Sequence, residues 1–135
     1  MPSTTHAVSI SPKAIWAGRI VSALVALFML FDSIIKLIKI EPVVQSFAQL
    51  GYPDSLAGTI GIIELICTAL YVIPRTSALG AVLLTGIMGG AIASHIRVGD
   101  PLFSHILFGV YLGGLAWLGL FLRDERVRTL IPVRR

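Results

Sequence analysis

The sequence predicts an all-α integral membrane four-helix bundle with a short interfacial helix in the first outer loop, and three observations predict it. Four apolar segments, Ala14 to Ile38, Leu56 to Ile73, Ser77 to Ile96 and Leu102 to Leu122, are each about long enough to cross a hydrocarbon core of roughly 30 Å as a helix. Hydrophobic residues make up 56% of the 135 and charged residues 13%, with a mean hydropathy of +0.89, more apolar surface than a soluble domain of this length needs. The basic residues behind the net charge of +4 and the pI near 9.7 gather at segment ends rather than over a polar face. The partner they imply is a lipid bilayer, not nucleic acid.

The elements follow in order. Residues 1–13 are polar and lack the charged start and short apolar core of a signal peptide, so they read as a flexible cytoplasmic tail. Residues 14–122 form one four-span transmembrane domain, and residues 123–135 a basic cytoplasmic tail. Pro12 precedes the first span, and Gly51-Tyr52-Pro53-Asp54 turns the chain into the second. Pro74 closes the second, and Gly99-Asp100-Pro101 separates the third from the fourth. Between the first two spans, Val43, Val44, Phe47 and Leu50 recur at helical spacing. That pattern suits a short amphipathic helix at the outer interface or folded back over the bundle, an interfacial connector being the simpler reading and a substrate lid the alternative.

Charge sets the topology. Lys13, Arg19, Arg75, Arg123, Arg126, Arg128, Arg134 and Arg135 fall on one side, and Lys36, Lys39 and Arg97 on the other. Cytoplasmic loops retain Lys and Arg, so both termini are expected in the cytoplasm of a multi-pass inner-membrane protein. Gly86-x-x-x-Gly90 and Gly109-x-x-x-Gly113 predict a tight hairpin of spans three and four, and offer a route to a homodimer.

Ionisable groups inside apolar spans are costly unless paired, and so mark candidate sites. Asp32 and Glu64 lie roughly 10 and 12 Å from the same boundary by helical rise, and Lys36 follows Asp32 by one turn. His95 and His105, flanked by Ser94 and Ser104, sit about one turn in from that boundary. The expectation is a polar cavity opening outward, with Glu64, Asp32, His95 and His105 as candidate catalytic groups and Lys36, Cys67, Ser94 and Asp100 as candidate ligand-binding groups. Cys67 is the single cysteine, which excludes an intrachain disulfide and a C-x-x-C redox pair. No His or carboxylate pair has a recognised metal-ligand spacing, so no metal is expected.

The run Lys36 to Lys39 and Phe47-Ala48-x-Leu50-Gly51-Tyr52-Pro53 are followed by Gly61-x-x-Glu64-Leu65 and Pro74-Arg75. Together with Ala93-Ser94-His95-Ile96-Arg97-Val98-Gly99-Asp100, they resemble the DoxX-like family of small four-span membrane proteins. The resemblance runs from about Ala14 to Arg123. It implies a four-helix bundle associated with oxidoreductases, with Glu64, His95 and Asp100 matching the family pattern.

Two function classes follow. In one, the cavity binds a lipophilic small molecule, a quinone-like carrier among them, linked to membrane oxidoreductase chemistry; the same cavity would suit a cofactor-free isomerase or cyclase of an apolar substrate. In the other, the protein is a non-catalytic scaffold or accessory subunit mated to an oxidoreductase partner. Whether the polar groups face one roomy cavity or are consumed in pairs between helices discriminates the classes. Alternating-access transport is disfavoured, since four spans show no inverted repeat.

Overall fold

The computed structural model describes residues 10–130; the outer parts of both tails, 1–9 and 131–135, lie outside the described residues. The first helix, α1 (Pro12–Leu37), starts where the Ser11 hydroxyl accepts from the Ala14 N–H at 3.2 Å and Pro12 supplies a pre-set φ. It ends at Lys39, whose φ of 51° turns the chain sharply into α2 (Glu41–Gln49). Gly51, at φ 77°, makes the next turn, into α3 (Ser55–Val72). Pro74 ends that helix, and the Thr76 and Ser77 hydroxyls donate to the freed carbonyls of Leu70 and Ile73 at 2.7 and 2.9 Å.

The fourth helix, α4 (Ser77–Val98), stops at Gly99, at φ 73°. There the Gly99 N–H donates to Ile96 O and the Asp100 N–H to His95 O, both at 3.1 Å, the paired bonds of a Schellman cap. The next span differs from a plain α-helix. It opens with a π-helical turn, Leu102–Ile106, in which Ile106 donates back to Pro101 O and Leu107 to Leu102 O. Only then does α5 (Phe108–Arg123) begin, followed by the short α6 (Glu125–Leu130) within the region read as a basic tail. A π turn carries an extra residue, so it rotates the side chains that follow relative to those before it.

Among the described residues four helices are long and apolar enough to cross a membrane: α1, α3, α4, and Leu102–Arg123 taken together. They form a closed ring in which α1 packs against α3 and α5, and α4 packs against the same two. Large aliphatic and aromatic side chains such as Leu24, Leu27, Phe31, Ile66 and Val82 face outward, while Glu64, Ser33, Thr68 and Ser77 are buried. That arrangement fits lipid, where apolar surface costs nothing outside and contact between helices depends on close packing and polar pairing. The protein is a multi-pass membrane protein of all-helical architecture.

The close approaches are not all where the glycine pairs predict them. A Cβ on Gly119 would lie 2.5 Å from Ser22 Oγ, and one on Gly18 would lie 2.7 Å from Gly119 O, so α1 and α5 touch backbone to backbone. Gly80 lies equally tight against the Tyr71 backbone. Gly109 does pack on Ile92, but Gly86, Gly90 and Gly113 have nothing within 4 Å. The α4–α5 pair therefore does not close through both motifs. Gly90 borders the cavity described below, and Gly86 and Gly113 meet no neighbour, which spacing along one helix does not reveal.

Candidate functional site

The site begins with a glycine. A Cβ on Gly61 would meet Ser33 O at 3.0 Å and Lys36 Cβ at 3.2 Å, so its absence lets α3 lie close against α1. Glu64, one turn further on, then reaches across that seam. Lys36 Nζ donates to Asp32 Oδ2 and to Glu64 Oε1, both at 2.6 Å. Glu64 is 2% exposed, Lys36 17% and Asp32 26%, so Glu64 is the deeply buried member of the trio. Glu64 Oε2 is buried and has no hydrogen-bond partner among the described residues. Such an orphan is uncommon in a folded protein and calls for a donor.

Across the ring, the Schellman cap at Gly99 folds the chain back so that Asp100 Oδ2 lies 2.5 Å from His95 Nδ1. The π turn brings His105 opposite, with the two imidazole rings edge to face at 5.6 Å between centroids. Ser104 Oγ sits 2.7 Å from His105 Nδ1. Both histidines thus have one ring nitrogen engaged, which fixes ring orientation and leaves the other for further contacts.

The fourth wall comes from the connection. Val43 and Phe47 of α2 are buried with Ala57 of α3, so α2 folds back over the bundle rather than lying apart from it. Two contacts secure it to α4. Ser94 spends its proton on Gly90 O at 2.8 Å, so Tyr52 donates to Ser94 Oγ, also at 2.8 Å. Arg97 donates to Leu50 O and lies over the Tyr52 ring, 5.3 Å from its centroid.

Beneath α2 lies a cavity of about 630 Å³ lined by Asp32, Lys36 and Glu64 on the α1–α3 side, by Ser94, His95 and His105 on the other, and otherwise mainly by apolar side chains. The volume and the mixture are those of a small-molecule site. The expected constellation is therefore assembled in one place, with two exceptions. Cys67 is buried in the apolar core with Tyr71 and does not itself line the cavity. Asp100 does not line the cavity either; it holds His95 from behind. Cys67 follows Glu64 by three residues and so shares its face of α3 to within about 60°; what takes it out of the cavity is that it lies nearly one turn further from the end covered by α2.

Sequence reading missed Tyr52 and the clamp made by Arg97, which spacing marked only as a turn and a boundary charge. It also missed a second polar cluster at the opposite end. Arg123 donates to Ser22 Oγ at 2.9 Å and to Tyr71 O at 3.2 Å, and the Tyr71 hydroxyl donates to Ala116 O at 2.7 Å. No grouping of three or more His, Cys, Asp or Glu suited to a metal ion occurs among the described residues.

The fold and the site define a small four-span helical membrane protein with a largely apolar cavity beneath α2 that carries charged and imidazole groups on its walls. The chain belongs to the DoxX-like family, whose model matches residues 20–119, a stretch that contains every cavity wall. No curated protein and no solved structure matches it.

Proposed function

We propose that this DoxX-like protein binds a lipophilic small molecule with a polar head in the cavity beneath α2. The observation that carries the reading is a roomy, largely apolar cavity that contains Glu64, a buried carboxylate with one oxygen unpartnered. A bundle using its charges only to hold helices together has no need of a hollow beside them.

The chemistry available to the residues is proton exchange. Lys36 uses two of its three N–H donors on Asp32 and Glu64 and keeps the third for a ligand oxygen. A proton on Glu64 Oε2 leaves Oε1 free to keep Lys36, so the trio gains or loses a proton without breaking either contact. Asp100 orients His95 as a second acid or base on the opposite wall. A quinone-like carrier fits this donor set: its oxygens exchange protons on reduction and oxidation, and an oxidoreductase partner would supply or accept the electrons. The charge asymmetry supports an inner-membrane location with both termini cytoplasmic, which turns the cavity outward.

One observation favours a second reading. The Lys36 bridge joins α1 to α3, as it would in a non-catalytic accessory subunit. Native mass spectrometry of gently solubilised protein, followed by identification of what co-purifies, separates the two. A stoichiometric lipophile present in the wild type and lost in Glu64→Gln is the expected result. A ligand-free protein that keeps a partner polypeptide equally in both forms overturns the binding reading in favour of the scaffold.

A further inference from the structure

The cavity is not the only hollow in the molecule. A crevice of about 280 Å³ lies between α1 and α5. Its base is the buried pair Val25 and Leu112, and its sides are the outward-facing Leu24, Tyr111 and Leu115. Three residues line both hollows: Phe28, Phe108 and Leu112. Phe28 and Phe108 pair across the junction, with ring centroids 5.3 Å apart and planes tilted by 55°. Two aromatic rings in contact, each free to turn about its side-chain torsions, make a wall that a slim chain can part.

The crevice has a local cause. α1 and α5 touch at Gly18 and Gly119, where neither carries a side chain. Toward the cavity, Val25, Phe28, Phe108 and Leu112 stand between the same two helices, so their packing opens outward as the residues grow. The crevice surface is almost wholly apolar and faces lipid, whereas the cavity holds the charged trio. Phe28 precedes Asp32 by one turn, and Asp32 precedes Lys36 by one. Polar and apolar contacts therefore follow one another along a single face of α1. From Asp32 to Val21 that face extends roughly 16 Å at about 1.5 Å per residue, the reach of a chain of about a dozen methylenes.

We propose that the occupant is a single-chain amphiphile: a hydroxyl on its head donates to Glu64, and its tail leaves between Phe28 and Phe108 to lie in the crevice between α1 and α5. This rests on the cavity being a ligand site, and it adds the route and the shape of the ligand. Glu64 Oε1 keeps Lys36, and Oε2, which has no partner among the described residues, accepts from the head. Access is then lateral, from the bilayer, and α2 need not open.

The test uses two tritiated probes, 4-ethylphenol and 4-dodecylphenol, bound to full-length protein in lipid nanodiscs. Partitioning into lipid is common to all variants and cancels when they are compared. Leu115→Trp fills the crevice from its lipid-facing side, and Leu115→Ala widens it. The expected result is that Leu115→Trp weakens 4-dodecylphenol at least tenfold and leaves 4-ethylphenol unchanged, while Leu115→Ala keeps both within threefold. Glu64→Gln weakens both probes.

If Leu115→Trp leaves both probes unchanged while Glu64→Gln still weakens them, the tail route is overturned and the cavity reading survives. If Leu115→Trp and Leu115→Ala both weaken the two phenols equally, position 115 supports packing only and the tail route again falls. Saturable binding of neither phenol to the wild type overturns both readings.

Discussion

The two ends of the bundle solve the same problem in opposite ways. At the end nearer the termini, glycines at 18, 80 and 119 bring backbones into contact, and the Arg123 guanidinium, the Tyr71 hydroxyl, Ser22 and Ser77 hydrogen-bond to one another and to nearby carbonyls. At the end covered by α2, the polar groups ring a cavity and Glu64 keeps an oxygen without a donor. Both ends bury polar side chains among apolar helices. The cavity described above lies beside the polar groups of the α2-covered end, and under the proposed function that difference separates polarity that holds helices from polarity that meets a ligand.

The comparison breaks most visibly at Lys36. Lys36→Met leaves two carboxylates facing each other without a cation, and should cost about 3–5 kcal/mol in reversible unfolding from mixed micelles. Adding Asp32→Asn and Glu64→Gln should return most of that stability without restoring ligand. Recovery of co-purifying lipophile in the triple variant would break the assignment of the trio to the site.

Gly119→Leu tests the closed end. Its side chain would collide with Ser22 and the Gly18 carbonyl, at a cost of about 1–3 kcal/mol or more in the same assay. The cavity lies at the other end, so the folded fraction should retain ligand. Gly61→Leu should do the reverse where it matters: the α1–α3 seam widens, Glu64 loses Lys36, and ligand retention falls even in molecules that stay folded.

Tyr71→Phe gives a smaller effect, about 1–2 kcal/mol, because Ala116 O loses a buried donor while the ring still packs. Thermal unfolding followed by circular dichroism measures it, and unchanged ligand binding is expected. The smallest effect belongs to Gly86→Ala and Gly90→Ala. With nothing within 4 Å of either, both should be neutral or stabilising by up to about 1 kcal/mol. A large loss of stability or of a dimer in either variant would show that this face is packed against something after all.

Much of this was legible in the chain. Length and hydropathy identify the four spans, since the bilayer thickness sets the length and, without water, an apolar segment of that length satisfies its own backbone as a helix. The pattern Val43, Val44, Phe47, Leu50 gives α2, and the spacing of Asp32 and Lys36 gives their ion pair, because both are local consequences of 3.6 residues per turn. Depth alone could set Asp32 level with Glu64, and His95 level with His105 nearer the same boundary.

Tertiary structure decided what no single helix carries. Which glycines pack depends on how each helix is rotated toward its neighbours, so Gly18 and Gly119 meet while Gly86 and Gly90 meet nothing. Packing likewise decides that Cys67 joins the core while Glu64, nearly one turn nearer the covered end on the same face of α3, meets Lys36. Asp100 reaches His95 through a left-handed glycine cap, and His105 through a π turn. The hollow itself is the least local property of all. It exists because four helices and a folded-back fifth surround space that their side chains do not fill, and volume left over by packing is a sum over every neighbour at once.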